Sequence, residues 1–400
     1  MDNLHLIQLG QYERPTITEE RNKDWVSIGD NNDYYQSLIS AYMDSTTNNA
    51  VINGIVNQIY GKGLDATDSA QKPDQYAQMK SLVKPHDLRN VCQDLKLLGE
   101  AAFQITYNGS KISAITHFPR ETLRAEKMND NGEVKNYFYS ADWSKVDRNT
   151  KLKKFPVFGS GAQNEIFIIK RYVTGFYYYS PVDYQGCLQY ATLEEEVSNY
   201  HLSNIQNGLQ PSMLINFNNG IPNEEVQELN ERKIYDKFSG TSNAGRFILA
   251  FNDGSENQSN IDPINLPDAH AQYEFLAKES REKIMIGHGV VSPILLGIKD
   301  NTGFGNNAEE LRTASILMDN MVIRPFQQML LDAFKELLLY NDISLDLYFV
   351  TLQPIEFTEL DNIETKIKRE EETGEKLSAM DRVKSLFKKK EDGESTVHND

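Results

Sequence analysis

The chain has 400 residues, enough for two or three domains and a sizeable core. Its 39% apolar and 10% aromatic content belongs to a folded protein, not a disordered one. The formal net charge of −17 argues against a tight, sequence-specific DNA binder, which normally presents a basic face.

The first thirty residues carry few periodic apolar side chains and read as an arm or loosely packed edge. From Tyr34 the pattern turns helical, with Leu38, Ile39, Tyr42 and Met43 on one helix. A second helix spans Asn49 to Tyr60, with Val51, Ile55 and Ile59 at i, i+4, i+8, and Gly61 and Gly63 stop it. A third covers Leu88–Gly99. The middle third reads as strands. Ala101–Tyr107 and Lys111–Phe118 flank Asn108-Gly109, a hairpin dipeptide. Thr122–Met128 and Glu133–Tyr139 flank Asn129-Asp130-Asn131-Gly132, and Glu165–Tyr172 is a further strand. The fold class expected is α+β, without regular βαβ alternation.

Tyr177–Pro181 breaks the strand pattern, and a long helix follows over roughly Tyr184–Gln206. Its apolar positions are sparse, and Glu194, Glu195 and Glu196 lie among its polar ones. Such a helix bridges solvent or packs against copies of itself. Next come a strand at Pro211–Phe217, a helix from Pro222 to about Phe238 and a strand at Arg246–Phe251. A second long helix covers Asp268–Ile286. An apolar segment (Val290, Val291, Ile294, Leu295, Leu296) then packs beneath a glycine- and asparagine-rich loop over 297–307. Asn307 caps the next helix, with Glu310 at the capping-box position. Its stripe is Leu311, Ala314, Met318, Met321 and Val322, and Pro325 forces a kink or a break. Met329, Leu330, Ala333, Phe334, Leu337 and Leu338 continue the stripe. Leu345–Val350 and Leu352–Phe357 read as strands, 359–387 as charged helix and the remainder as a disordered tail.

The longest apolar run, near Val290–Ile298, falls short of the roughly 20 residues that span a bilayer. The N-terminus, MDNLHLIQLG, carries no basic and no long apolar region, so no export signal is expected. Cys92 and Cys187 match no metal or redox spacing and read as small buried apolar residues. Walker A, GxGxxG, HExxH, GxSxG and EF-hand patterns are all missing from the sequence. Gly303-Phe304-Gly305 lacks the preceding strand and the following Lys-Ser/Thr of a phosphate cradle, and reads as a connector. The seven histidines are dispersed. No catalytic, metal-binding or cofactor-binding residue is therefore expected. The run Lys384–Lys390 could meet DNA, but basic tails flanked by acids are commonly just solvated. Acidity is compatible with solubility alone, and also with a wall past which DNA slides, since repulsion of phosphates lowers friction.

Several linked segments resemble the portal proteins of tailed bacteriophages. Tyr178-Tyr179-Ser180-Pro181 is similar to the family's step before its first long helix. Asn207-Gly208-Leu209-Gln210-Pro211-Ser212-Met213-Leu214 and Thr241–Leu249 resemble two of its strands, with Arg246 where lysine is commoner. Ile284–Gly297 resembles its Ile-Ala-x-x-Phe-Gly-Val-Pro-Pro-x-Leu-Leu-Gly signature, with Ser292 for the first proline and His288 where an aromatic is frequent. Asn306–Glu310 and Ile323-Arg324-Pro325 continue the match, which runs from roughly 34 to 357.

The resemblance implies a wing (1–182 and 306–355), a stem (helices 183–207 and 268–287), a clip (208–267), a tunnel loop (288–305) and a crown with tail (356–400). It implies a ring, usually a dodecamer, at one vertex of the virion capsid, assembled in the host bacterial cytoplasm. Double-stranded DNA would pass through it without sequence preference in packaging and ejection. Partners would be the terminase large subunit, a head–tail connector or adaptor, and the major capsid protein, with no membrane. The chain would be no enzyme. Lys299, Asp300, Asn301, Thr302 and Phe304 would form the loop tip. Asn219, Glu224, Glu225, Glu228 and Arg232 would lie on the docking clip. Two alternatives are a nucleic-acid-processing enzyme, which would need clustered carboxylates, and a non-portal oligomeric scaffold, which would lack a DNA-wide pore.

Overall fold

The computed structural model describes residues 14–147, 150–206, 213–217, 226, 247–251, 269–296 and 308–352. Several sequence expectations fall outside these residues: most of the helix at 222–238, the loop at 297–307, the cap at Asn307, and everything from 353 onward.

The described part of the expected N-terminal arm, from residue 14, is instead built into the fold. Ile17–Glu19 (β1) pairs antiparallel with Val26–Ile28 (β2), and Val26 and Ile28 are fully buried. Strands of three residues are too short to register as periodicity, which is why the pattern misses them. Two helices follow, Tyr34–Asp44 (α1) and Thr46–Tyr60 (α2). Ser45 separates them: its extended backbone ends α1, and its side chain accepts the Asn48 N–H at 3.2 Å, capping α2. Val51, Ile52, Ile55, Val56 and Ile59 bury one face of α2. Gly61, at φ 58°, closes it.

Leu64–Ala66 (β3) leads to Pro73–Leu82 (α3) and Pro85–Leu98 (α4), both opened by proline. Helix α3 is absent from the sequence expectations because PDQYAQMKSL buries only Met79 and Leu82. Gly99 ends α4 in the left-handed region, φ 78°.

Both expected hairpins form. Glu100–Asn108 (β4) and Lys111–Phe118 (β5) join the later strand Asn164–Lys170 (β9) in an antiparallel sheet of order β5–β4–β9. Leu123–Ala125 (β6), Asn136–Tyr139 (β7) and the unanticipated Lys153–Pro156 (β8) form a second sheet, order β6–β7–β8.

Leu188–Gln206 (α5) is the first long helix. Met213–Phe217 (β10) and Phe247–Phe251 (β11) pair in parallel, and Ala269–Gly287 (α6) is the second long helix. The chain divides into two compact units, one of residues 1–189 with 283–400, the other of residues 190–282. The second unit begins inside α5 and ends inside α6.

Ala308–Met318 (α7) runs into a π-helical turn at Asp319–Ile323 and then Arg324–Leu339 (α8). Pro325 therefore neither breaks the helix nor simply kinks it. Proline has no N–H and crowds the carbonyl four residues back, and a wider turn relieves both. The Arg324 N–H accordingly reaches the Asp319 carbonyl, five residues back. The turn also corrects the expected stripe. Ala314, Met318 and Val322 are buried, but Met321 is 70% exposed. Helix α8 packs its apolar face against β9, with the Phe334 ring 5.4 Å from that of Phe103 in β4, and Leu347–Phe349 (β12) pairs with β3. Of the closing strand expected over Leu352–Phe357 only Leu352 is described, and the rest lies outside the described residues.

Candidate functional site

The segment before α5 is tied down side chain by side chain. The Tyr178 hydroxyl accepts the Met128 N–H at 3.0 Å and donates to Glu19 at 2.7 Å. The Tyr179 hydroxyl accepts the Ala125 N–H at 3.0 Å and donates to the Val26 carbonyl. Ser180 gives its N–H to one oxygen of Glu100. The other oxygen accepts Arg120 Nε at 2.7 Å and the Tyr35 hydroxyl at 3.1 Å. Glu100 and Arg120 have no exposed surface, and the Arg120 guanidinium lies 5.1 Å from the Tyr35 ring. Burial alone would lower the Arg120 pKa. Glu100 and the surrounding phenols outweigh it, and the pKa ends raised. Burial pushes the Tyr179 hydroxyl up to about 12. The Tyr-Tyr-Ser-Pro step is thus a lock that closes over a buried ion pair.

The next residues build the root of both long helices. Asp183 receives Lys96 Nζ at 2.7 and 3.0 Å. Lys96 projects from α4, is fully buried, and lies 5.1 Å from the Tyr184 ring and 5.4 Å from Phe326. Its desolvation lowers its pKa, and Asp183 partly counters that. Tyr184 donates its hydroxyl to the Leu97 carbonyl at 2.8 Å and offers its face to His288, with ring centroids 4.3 Å apart and planes 19° apart. His288 follows α6 directly. Its Nε2 lies 2.8 Å from Asn48 Oδ1, while Asn48 Nδ2 donates to the Ala41 carbonyl at 3.0 Å. The Asn48 oxygen therefore faces the ring, and Nε2 carries the proton. Nδ1 is buried with no hydrogen-bond partner among the described residues. Burial, reinforced by the Lys96 charge, holds the His288 pKa well below its usual value, so the ring is neutral.

Gly287 closes the arrangement. A Cβ there would meet the Cys187 Cβ at 2.4 Å, so the end of α6 and the start of α5 touch where one methyl is missing. Burial pushes the Cys187 thiol up to about 12, consistent with an inert packing residue.

Beyond His288, Gly289 takes φ 72°, and Val290, Leu295 and Leu296 pack on the core. Gln58 Nε2 donates to the Leu295 carbonyl at 3.0 Å, and Leu296 lies against Gly54. Val291 and Ile294 are exposed, so three of the five apolar residues pack as expected and two do not. The expected tip residues, Lys299, Asp300, Asn301, Thr302 and Phe304, lie outside the described residues, as do Asn219, Glu224, Glu225, Glu228 and Arg232.

Within residues 190–282, α5 and α6 meet through aromatic rings. Tyr200 and Tyr273 stack at 4.1 Å and 23°, with His201 edge-on to both. The burial of Ala191, Val197 and Ser280 is the only other deep packing on the described part of these helices in this unit. This unit holds 15 Asp and Glu against 6 Lys and Arg, so it carries −9 of the −17 net charge.

Sequence periodicity does not single out Lys96, Asp183 or Asn48. The one available signal is a lysine within the apolar stripe Leu88, Cys92, Leu95 of α4. Among the described residues no group of three His, Cys, Asp or Glu is placed to hold a metal ion, and no helix is long and apolar enough to cross a membrane.

No known sequence family matches this chain, and no curated protein does. Solved structures do match. A chain of the virion of the native gene transfer agent (GTA) particle superposes with TM-score 0.54 at 14% identity, over 84% of this chain and 87% of that one. A chain from the neck of the native GTA particle, computed with C12 symmetry, gives TM-score 0.51 at 14% identity over 87% and 92%. A HK97 family phage portal protein from Corynebacterium diphtheriae gives TM-score 0.44 at 12% identity over 76% and 90%. The fold is thus one shared with a chain of that virion and a chain of that neck.

Proposed function

We propose that this chain is a portal protein: one subunit of a ring, a dodecamer on the family pattern, set at one capsid vertex. Double-stranded DNA would pass through the ring during packaging and again during ejection. The observation that carries this is the likeness to chains of particle virions and necks over most of both chains.

In this assignment α5 and α6 form the stem, residues 208–267 the clip, 288–305 the tunnel loop, 1–182 with 306–355 the wing, and 356–400 the crown. The ring acts by guidance and performs no chemistry of its own. Terminase drives the DNA and docks on the clip through Asn219, Glu224, Glu225, Glu228 and Arg232, and connector proteins later replace it. The major capsid protein surrounds the wing. Lys299, Asp300, Asn301, Thr302 and Phe304 narrow the channel. An acidic 190–282 unit suits such a channel, because it repels phosphates and discourages a static grip. The seat of His288 between Asn48 and Tyr184 gives the loop a fixed starting point.

Negative-stain imaging of the purified protein tests the proposal. Rings with a central opening wide enough for duplex DNA are expected, and monomers or pore-free assemblies would overturn it. Shortening 299–304 is expected to leave rings intact while impairing DNA packaging or retention in an assembly assay. Unimpaired packaging would remove the loop from the mechanism.

A further inference from the structure

The π-helical turn leaves an unusual surface. Had α7 continued as α-helix, Met321 would fall three residues after Met318 and seven after Ala314, on the buried stripe. The extra residue of the turn puts Val322 there instead and swings Met321 outward, beside Leu317. The exposed side of this run is then Arg312, Ile316, Leu317, Asn320, Met321 and Arg324. Its acid, Asp319, already binds Arg324 Nε at 2.6 Å.

A second exposed face has the opposite character. Phe275, Glu279, Glu282 and Ile286 follow one another at spacings of four, three and four on α6, with Glu279 half-buried, the other three exposed, and exposed Lys278 and Lys283 at the flanks. Phe275 is 63% exposed and Ile286 69%. One face thus joins apolar groups to arginines, and the other joins apolar groups to carboxylates. A ring closed by head-to-tail contacts needs two different, complementary faces on every copy.

We propose that the α7 face of each copy receives the α6 face of its neighbour, with Met321 and Leu317 against Phe275 and Ile286, and Arg312 and Arg324 near Glu279 and Glu282. The occupant is a second copy of this chain, and the inference rests on the ring proposed above.

The test is a cysteine pair in the full-length chain, Ile286→Cys with Met321→Cys. The native Cys92 and Cys187 are buried, so oxidation reports the introduced pair. A non-reducing gel is expected to show a ladder of linked copies for the double variant and monomers for each single one. In parallel, Arg312→Glu is expected to reduce the ring fraction in mass photometry at least tenfold, with Glu282→Arg restoring it in the combined variant. If the unaltered protein forms rings but the pair gives no ladder, the contact is refuted and the portal assignment stands. If the unaltered protein forms no ring and the pair gives no ladder, both fall.

Discussion

Glu100–Arg120 and Lys96–Asp183 are ion pairs of the same unit, yet their surroundings differ. Glu100 and Arg120 are both wholly enclosed, and Tyr35 and Ser180 add donors to the carboxylate. In the second pair Lys96 is enclosed, but the Asp183 side chain is one-fifth exposed, and the neighbouring His288 has a nitrogen with no hydrogen-bond partner among the described residues. In the first arrangement both charges are shut away from water, although Arg120 Nη2 makes no hydrogen bond among the described residues. The second has one partner that water can reach and one ring whose protonation would find no acceptor. A lock and a joint thus use the same chemistry with different degrees of closure, and the joint is the one beside the long helices.

The largest test of that contrast is Glu100→Ala. An enclosed arginine left without its carboxylate is expected to destabilise the fold by about 3–5 kcal/mol in denaturant unfolding. The joint should instead respond asymmetrically. Asp183→Asn strands a buried ammonium, at about 3 kcal/mol. Lys96→Met leaves a carboxylate that water can solvate, at about 1 kcal/mol. Equal losses from the two substitutions would mean that Asp183 is as enclosed as Glu100, and the distinction would collapse.

Gly99 lies between Lys96 and Glu100 and serves both. Its φ of 78° disfavours a side chain, and a Cβ would lie 2.8 Å from the Ser180 carbonyl oxygen. Gly99→Ala is expected to cost about 1–2 kcal/mol from the left-handed conformation alone, read as a lowered melting temperature. A loss no larger than this would show that the Ser180-Pro181 backbone moves away from the new methyl, and a larger one that it does not.

The smallest effect concerns pH. The His288 pKa in the fold lies below its unfolded value near 6.5, so the unfolded chain takes up the proton first. Stability is complete above about pH 6.5 and declines as pH falls below it, by at most about 1.4 kcal/mol per pH unit from this group. His288→Phe keeps the stack on Tyr184 and loses the donor to Asn48. It should lower the plateau and remove that share of the slope. An unchanged slope between pH 6.5 and 5 would show that His288 is not the group responsible.

What could be read in advance follows from how local each feature is. The helices from Tyr34 and toward Tyr60, both hairpins and the two long polar helices announce themselves within a dozen residues. Helix α3 does not, because its buried face is two side chains wide. Nor does the π turn, because a proline in a helical pattern predicts disruption without saying which kind. The quoted motifs already contained His288, Tyr179 and Ser180, but not what they touch. Lys96 and Asp183 are 87 residues apart, and Asn48 and His288 are 240 apart. No spacing rule spans such distances, so their meeting is a property of the fold alone.

The contact of Gly287 with Cys187 makes those two positions a single unit of variation. Together they hold room for one side chain, and that side chain is a thiol. In related chains an alanine at the first position should be accompanied by a glycine at the second. Gly287→Ala, damaging by itself, should be rescued by Cys187→Gly. A pair of neutral-looking changes would then be inherited together.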